Sequence, residues 1–94
     1  MFLEKLSFTK EELNLIEENM PKVFKEKMEE QKKLVANNIS YLKEIGIENY
    51  KEIYLKFYDM FLLDFSTFKE VFDKYEKSDL IEKLKKNINI VEYL

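Results

Sequence analysis

The side chains that could carry chemistry in this chain are carboxylates, lysines and tyrosines. The sequence has 19 acidic and 16 basic residues, six tyrosines, no histidine and no cysteine, and every basic residue is a lysine. Histidine is the commonest general base and metal ligand, cysteine supplies thiolates, and only arginine offers a bidentate guanidinium. No carboxylate spacing matches a calcium loop, and one glycine cannot build a phosphate cradle. We therefore expect no enzyme, no cofactor and no metal site.

A stripe of three tyrosines is the first candidate site. Tyr50, Tyr54 and Tyr58 recur at helical spacing. Aromatic rings beside lysines are the ingredients of a base-stacking platform. Tyrosine and methionine are also enriched at the centres of protein interfaces, so the stripe could face a protein partner together with Met60 or Phe65. Packing in the core and at its rim is the simplest interpretation, and partner binding is the functional one that we carry forward.

Two charged clusters are further candidates. The acidic cluster consists of Glu11, Glu12, Glu17 and Glu18. The basic cluster consists of Lys83, Lys85 and Lys86. The acidic cluster could mimic nucleic-acid phosphate or dock on a basic partner, and the basic one could contact phosphate or an acidic protein. Helix capping and solvation explain both clusters more simply.

The overall charge argues against a dedicated nucleic-acid binder. The formal net charge is −3 and the calculated pI is about 5.1, whereas such binders usually carry a basic domain. The N-terminus MFLEKLSF is too short and too charged for a signal peptide, and no apolar run approaches ~18 residues. We expect a cytoplasmic protein that does not bind membranes.

Length and composition predict an all-α fold. A chain of 94 residues makes one domain, spanning 1–94, with a single core. Lysine, glutamate, leucine and isoleucine are abundant and favour helices, while one glycine and one proline are too few for the turns of a β-sandwich. We predict a single-domain bundle of four or five helices. Its core is expected to centre on Phe57, Phe61, Phe68 and Phe72, within an aromatic stretch from 50 to 75.

Local signals place the predicted helices. Thr9 and Glu12 form a capping box, with Phe8 and Leu13 as the hydrophobic staple, and this helix should end near Asn19, before a proline. Later helices are predicted over 21–45, closed by a glycine at 46, and over 49–63, 67–75 and from 79 onward. Their caps are Asn49, Thr67 and Asp79. The tail NINIVEYL is placed in the last helix, with an extended strand as the alternative.

The long second helix could also form a homodimer. Its apolar positions Phe24, Met28, Val35, Leu42 and Ile45 follow a seven-residue pattern with polar amides at two intervening sites. That pattern admits a coiled-coil homodimer through this face. A helix packed within its own bundle explains the widened apolar stripe better.

The sequence also resembles a known helical repeat. The segment LIEENMPKVF can be laid on the residues from Ile53 to Leu62 with a shift of 38, and ISYLKEIGI ends in a YL-x-x-x-G pattern. A short helix, a Pro-containing bend, an apolar pair and a helix with that ending resemble the repeat of the mitochondrial transcription termination factor family, over about half of the chain. The resemblance implies two degenerate helical repeats, and no binding residues are carried over.

These observations lead to a functional hypothesis. Missing catalytic chemistry and surplus aromatic and methionine side chains favour a small non-enzymatic protein that binds another protein as a regulator, inhibitor or adaptor. A phage or mobile-element inhibitor of a host nucleic-acid enzyme fits such a composition. The alternatives are a nucleic-acid-binding helical-repeat module that uses the basic cluster and the tyrosine stripe, and a structural homodimer through the long helix.

Overall fold

All regular secondary structure in the part of the chain that the structure describes is helical. A computed structural model describes residues 2–94, where six α-helices and three 3-10 helices occur and no strand is formed. The α-helices are α1 (Lys10–Asn19), α2 (Lys22–Glu30), α3 (Lys32–Glu44), α4 (Tyr50–Lys56), α5 (Phe65–Asp73) and α6 (Lys77–Lys86). The 3-10 helices are η1 (Phe2–Leu6), η2 (Tyr58–Leu62) and η3 (Ile88–Tyr93). The prediction of an all-α protein is confirmed.

Helix α3 is the element around which the others pack. It contacts η1, α2, α4, η2 and α5. Its inner face is formed by Val35, Ile39 and Leu42, which are completely buried. Because these residues recur at spacings of four and three, a single stripe of the helix meets neighbours on several sides. The centre of the fold therefore lies before the aromatic stretch, not within it.

The aromatic stretch supplies the core with a row of touching rings. The ring of Tyr54 lies 5.8 Å from that of Phe8 and 5.1 Å from that of Phe61. The row continues from Phe61 to Phe68 at 5.1 Å and from there to Phe72 at 5.0 Å. Edge-on and tilted pairs at such separations add to the energy of area burial. Three of the four predicted core phenylalanines are thus fully buried, while Phe57 packs at the margin of the core.

The N-terminal capping box of α1 is confirmed. The Thr9 hydroxyl accepts from the N–H of Glu12 at 3.2 Å, and the Glu12 carboxylate accepts from the N–H of Thr9 at 2.8 Å. Lys51 of α4 also donates to Glu12 at 3.0 Å. Burial alone would raise the pKa of Glu12, but the hydrogen bonds from Thr9 and Lys51 lower it below its usual value. The cap therefore also ties α1 to α4.

Replacing Thr9 by alanine should lower the free energy of unfolding by about 1 kcal/mol, because the N–H of Glu12 loses its acceptor. Urea denaturation of the variant checks this. Asn14→Ala, at an exposed site of the same helix, is the control and should leave stability unchanged or slightly raised. Equal stability of Thr9→Ala and the wild-type protein would contradict the capping role.

Gly46 closes α3 as predicted. Its φ of +93° lies in the left-handed region, where a side chain is strained. The N–H of Ile47 donates to the carbonyl of Leu42 at 3.0 Å, and that of Gly46 to the carbonyl of Lys43 at 3.2 Å. This pair of bonds is a Schellman motif. It turns the chain so that Ile47 enters the core.

The prediction of one long helix over 21–45 is wrong. The helix is interrupted at Gln31, whose φ of −105° and ψ of 29° end α2 before α3 begins. After the break, Met28 of α2 lines a small cavity together with Ile16 of α1 and Tyr54 of α4. The apolar positions of α2 and α3 follow the seven-residue pattern on both sides of the break. Both helices bury these positions against the core of the same molecule.

Several predicted helix boundaries are also corrected. Helix α4 ends at Lys56 and is followed by η2, so the helix predicted to reach residue 63 is shorter. Helices α5 and α6 begin earlier than predicted, because Asp64 and Glu76 are their N-caps. Asn49 makes no capping bond and donates instead to the carbonyl of Leu84 at 3.2 Å. The tail is neither α-helical nor extended but the 3-10 helix η3.

The order of elements repeats in the C-terminal two thirds of the chain. Helices α3 and α4 with η2 are followed by α5 and α6 with η3. The shift of 38 residues places α1 on α4, but it also places α3 across the break between α5 and α6. The 38-residue shift therefore matches the helix positions only in part.

Candidate protein-binding surface

The tyrosine stripe is largely part of the core. Tyr50 and Tyr54 are only 7% and 1% exposed. The hydroxyl of Tyr50 donates to the carbonyl of Leu6 at 3.1 Å. Tyr58 is half-buried, with its ring 5.0 Å from that of Phe24. The structure corrects the partner-binding prediction for Tyr50 and Tyr54, because their rings fill space between η1, α4 and η2 and offer no face to a partner or a base.

The acidic cluster lies on the surface but is partly used within the fold. Glu11, Glu17 and Glu18 are exposed. Glu17 forms an ion pair with Lys25 at 3.0 Å, and the same ammonium donates to the carbonyl of Glu17 at 3.2 Å. These contacts fasten the end of α1 to α2. A role of the cluster in binding a basic partner stays a prediction.

The basic cluster is exposed on α6 and faces carboxylates. Lys83 pairs with Asp79 at 3.1 Å, and Lys85 lies 3.7 Å from Glu48. Lys86 is exposed at the end of the helix. Since two of the three ammonium groups have a carboxylate neighbour, the positive field of the cluster is weakened. Nucleic-acid binding through it stays a prediction.

The apolar positions that would form the seam of a coiled-coil dimer are already buried within one chain. Met28, Val35 and Leu42 are buried in the core of a single chain. Asn38, one of the polar seam positions, is also fully buried. A second copy could meet this seam only if the chain opened, so the structure offers no continuous apolar face there.

An exposed apolar surface lies at the junction of η2 and α5. Leu63 and Phe65 are 37% and 41% exposed, and they flank the N-cap Asp64. The sequence predicts that Phe65 could face a partner together with the tyrosines, but it gives no such signal for Leu63. We call this region the Phe65 surface. It comprises Leu63 and Phe65 with the bordering side chains of Leu34, Tyr41, Ile45 and Leu62.

A buried amide holds this junction from below. Asn38 is completely buried in α3, and its Nδ2 donates to the carbonyls of Phe61 and Leu63, both at 2.9 Å. Its Oδ1 is the single fully enclosed side-chain N or O atom within residues 2–94 that lacks a hydrogen-bond partner. An unpaired buried acceptor costs free energy. The two bonds from Nδ2 must outweigh that cost, and they fix the backbone from which Leu63 projects.

The N-cap of α5 holds the same junction from the other side. Asp64 accepts from the hydroxyl of Thr67 at 2.6 Å and from its N–H at 3.2 Å. These bonds, the hydroxyl first and the N–H second, lower the pKa of the Asp64 carboxyl below its usual value. The carboxylate is therefore ionised at neutral pH, which suits the positive end of the helix.

Tyr41 supports the ring of Phe65. The two rings meet edge to face, with their centres 5.8 Å apart and an angle of 89° between their planes. The Tyr41 hydroxyl donates to Asp73, and the Lys69 ammonium lies 5.9 Å from the centre of the Tyr41 ring. Burial and the neighbouring Asp73 raise the pKa of Tyr41 to about 12. The tyrosine is thus neutral and can donate at physiological pH.

Shallow grooves with mixed charges lie on both sides of the junction. One is lined by Tyr41, Glu44, Ile45, Phe65, Lys69 and Lys77. The other is lined by Lys27, Glu30, Gln31, Leu34, Leu62 and Asp64. An apolar centre with a charged, solvent-exposed rim is the usual anatomy of a protein interface.

The described residues offer little else that points to chemistry. Within residues 2–94, no three acidic side chains come together as metal ligands. No helix in this range is long and apolar enough to cross a membrane. Comparison of the chain with protein-family models, curated proteins and solved structures finds no match. The resemblance to the termination factor repeat accordingly stays a prediction.

Proposed function

We propose that the chain is a non-enzymatic protein-binding module and that the Phe65 surface is its binding site. The observation that carries the proposal is the exposure of Leu63 and Phe65 on a junction that hydrogen bonds fix from both sides. A single exposed apolar side chain is normal on a protein surface. Two of them on a rigid frame, beside bordering apolar residues, form a site that a partner can cover.

Rigid presentation is what makes this surface suitable for binding. Association costs conformational freedom at the interface, and a surface already held in its bound form loses less. The Asn38 amide, the Asp64 cap and the Tyr41 ring each restrain one part of the junction. Phe65 then resembles an interface hot spot, which is an aromatic anchor surrounded by groups that exclude water.

The rim charges would tune the choice of partner. Lys69 and Lys77 lie in one groove with Glu44, while Glu30 and Lys27 lie in the other. Charges around an apolar centre mainly affect the association rate and exclude mismatched partners. With no histidine or cysteine for catalysis, binding itself is the activity. The protein would act as a regulator, inhibitor or adaptor of the partner it covers.

The test is a tagged pull-down from the source cell with three proteins, each divided into nuclease-treated and untreated halves. The proteins are the wild type, Leu63→Ser with Phe65→Ser, and a control with Leu15→Ser and Val23→Ser. Leu15 and Val23 are also exposed apolar residues, on α1 and α2. We expect a dominant nuclease-resistant protein with the wild type and the control. The Phe65-surface variant should bind it at least ~30-fold more weakly, as loss of a hot spot implies.

Other outcomes would contradict the proposal. Equal capture by the Phe65-surface variant, or loss with the control variant alone, would place the binding site elsewhere. Recovery of nucleic acid, with the proteins lost on digestion, would favour the nucleic-acid-binding alternative and its basic cluster. A melting temperature that rises with protein concentration, without another captured protein, would favour the homodimer. Unchanged circular dichroism of both variants ensures that the comparison reports binding.

A further inference from the structure

A small cavity lies between η1, α1, α2 and α4, away from the Phe65 surface. Its wall is apolar, and its volume is about 30 Å³. The buried residues that line it are Leu3, Ile16, Met20, Met28 and Tyr54. This is room for about two water-sized groups. Met20 and Met28 can widen it, because methionine side chains are unbranched and flexible.

The hydroxyl of Tyr54 is unusual among the core tyrosines. The hydroxyl of Tyr41 donates to Asp73, and that of Tyr50 donates to the carbonyl of Leu6. Tyr54 is only 1% exposed, yet its hydroxyl makes no hydrogen bond with any group in residues 2–94. Burial raises the pKa of Tyr54, so the hydroxyl keeps its proton. A buried tyrosine hydroxyl normally finds a partner.

The free hydroxyl is not sealed in the core. The one unpaired side-chain N or O atom that is fully enclosed in the described part of the chain is Asn38 Oδ1. The Tyr54 hydroxyl therefore retains a small accessible area, although its ring is packed between Phe8 and Phe61. The cavity is the space that Tyr54 borders. We infer that the hydroxyl faces the cavity, where it can donate a hydrogen bond.

The cavity opens towards solvent beside charged groups of α2. Lys25 is half-buried and Glu29 is exposed, whereas the other lining residues are buried. The Lys25 ammonium is already held by the carboxylate and carbonyl of Glu17, at 3.0 and 3.2 Å. A cation that is paired in this way, with Glu29 close by, gives no preference for a charged ligand at the mouth.

We propose that this cavity binds the carbonyl end of a small neutral molecule, such as a methyl ketone, and that the Tyr54 hydroxyl donates to the carbonyl oxygen. The apolar wall accepts the methyl group, and the rest of the molecule lies at the mouth. A charged group would pay a large desolvation cost in this wall. A hydrocarbon would leave the hydroxyl unpaired. An ordered water needs two to four polar partners, whereas the buried lining residues other than Tyr54 are all apolar.

The test is an NMR titration of the methyl-labelled full chain with 2-butanone, and separately with xenon, which binds apolar cavities without hydrogen bonds. Saturable shifts are expected at Ile16, Met20 and Met28, with a Kd on the order of millimolar for so small a ligand. Tyr54→Phe should weaken ketone binding about threefold to tenfold, the value of one hydrogen bond, and leave xenon binding unchanged. The fold should tolerate Tyr54→Phe, since no protein hydrogen bond is lost.

Tyr50→Phe is the matched control, because it removes a hydroxyl that donates to the carbonyl of Leu6 outside this cavity. Ketone binding should be unchanged in that variant. Three results would overturn the proposal: no saturable shift at the cavity methyl groups, equal ketone affinity of Tyr54→Phe and wild type, or equal losses in both tyrosine variants. A long-lived water detected at the Tyr54 hydroxyl and not displaced by the ketone would also overturn it.

Discussion

Replacing Phe61 by alanine should lower the free energy of unfolding by about 3–5 kcal/mol. Phe61 is completely buried in the middle of the aromatic row, with Tyr54 on one side and Phe68 on the other, both at 5.1 Å. The truncation removes apolar area and leaves a cavity that rigid rings on both sides cannot fill. A domain of this size is stable by only about 5–14 kcal/mol, so the variant would be folded marginally.

Chemical denaturation monitored by circular dichroism measures this effect. The matched control is Phe65→Ala, the same change at a side chain that is 41% exposed. It should cost much less, because the exposed ring loses less contact when it is truncated. A Phe61 variant no less stable than the Phe65 variant would contradict the tight packing of Phe61 between Tyr54 and Phe68.

Replacing Asn38 by aspartate should be the second strongly destabilising change, at about 3–5 kcal/mol near neutral pH. The substitution keeps the shape but removes the donor that bonds to the carbonyls of Phe61 and Leu63. It also places a carboxylate without a counter-charge in a fully buried site. Both carbonyl oxygens would then face a negative group.

The loss of stability in Asn38→Asp should become smaller as the pH is lowered. Burial and the two carbonyl oxygens raise the pKa of the introduced carboxyl above its unfolded value of ~3.9. A raised pKa in the folded state means that stability is greatest below the unfolded pKa and is lost as pH rises through the folded pKa. The variant should therefore recover part of its stability as the pH is lowered towards ~4, where the protonated carboxyl can donate one hydrogen bond.

The neighbouring Asn37→Asp provides the control for charge. Asn37 is exposed on the same helix, so its substitution should change stability by no more than about 0.5 kcal/mol at neutral pH. Urea denaturation of both variants between pH 4 and pH 8 gives the comparison. If the difference in unfolding free energy between the two variants stays constant from pH 4 to pH 8, the carboxyl introduced at position 38 is not buried against the two carbonyls.

The candidate site could be predicted only in part. Phe65 was named from the sequence as a side chain that could face a partner, but Tyr50 and Tyr54 were placed beside it and lie in the core. The periodicity predicts an α-helix through residue 63, whereas the chain turns into the 3-10 helix η2 after Phe57. A 3-10 helix advances by three residues per turn instead of 3.6. The faces of the later residues therefore rotate away from the tyrosine stripe.

The N-cap of α5 also could not be predicted correctly from the local sequence. The sequence predicts Thr67 as the N-cap of α5. The structure uses Asp64, and the Asn38 amide holds the adjoining carbonyl of Leu63 from 25 residues away in the chain. A bond of that range has no signature in the local sequence.

Features that depend on a few neighbouring residues could be predicted from the sequence. The all-α class follows from composition, the Thr9 and Glu12 cap from a spacing of three, and the end of α3 from one glycine with a positive φ. Four other features arise from contacts between distant segments: the break at Gln31, the bond of Asn49 to Leu84, the burial of Tyr54 and the exposure of Leu63. These features depend on which apolar surfaces meet, and periodicity identifies an apolar face without naming the face that covers it.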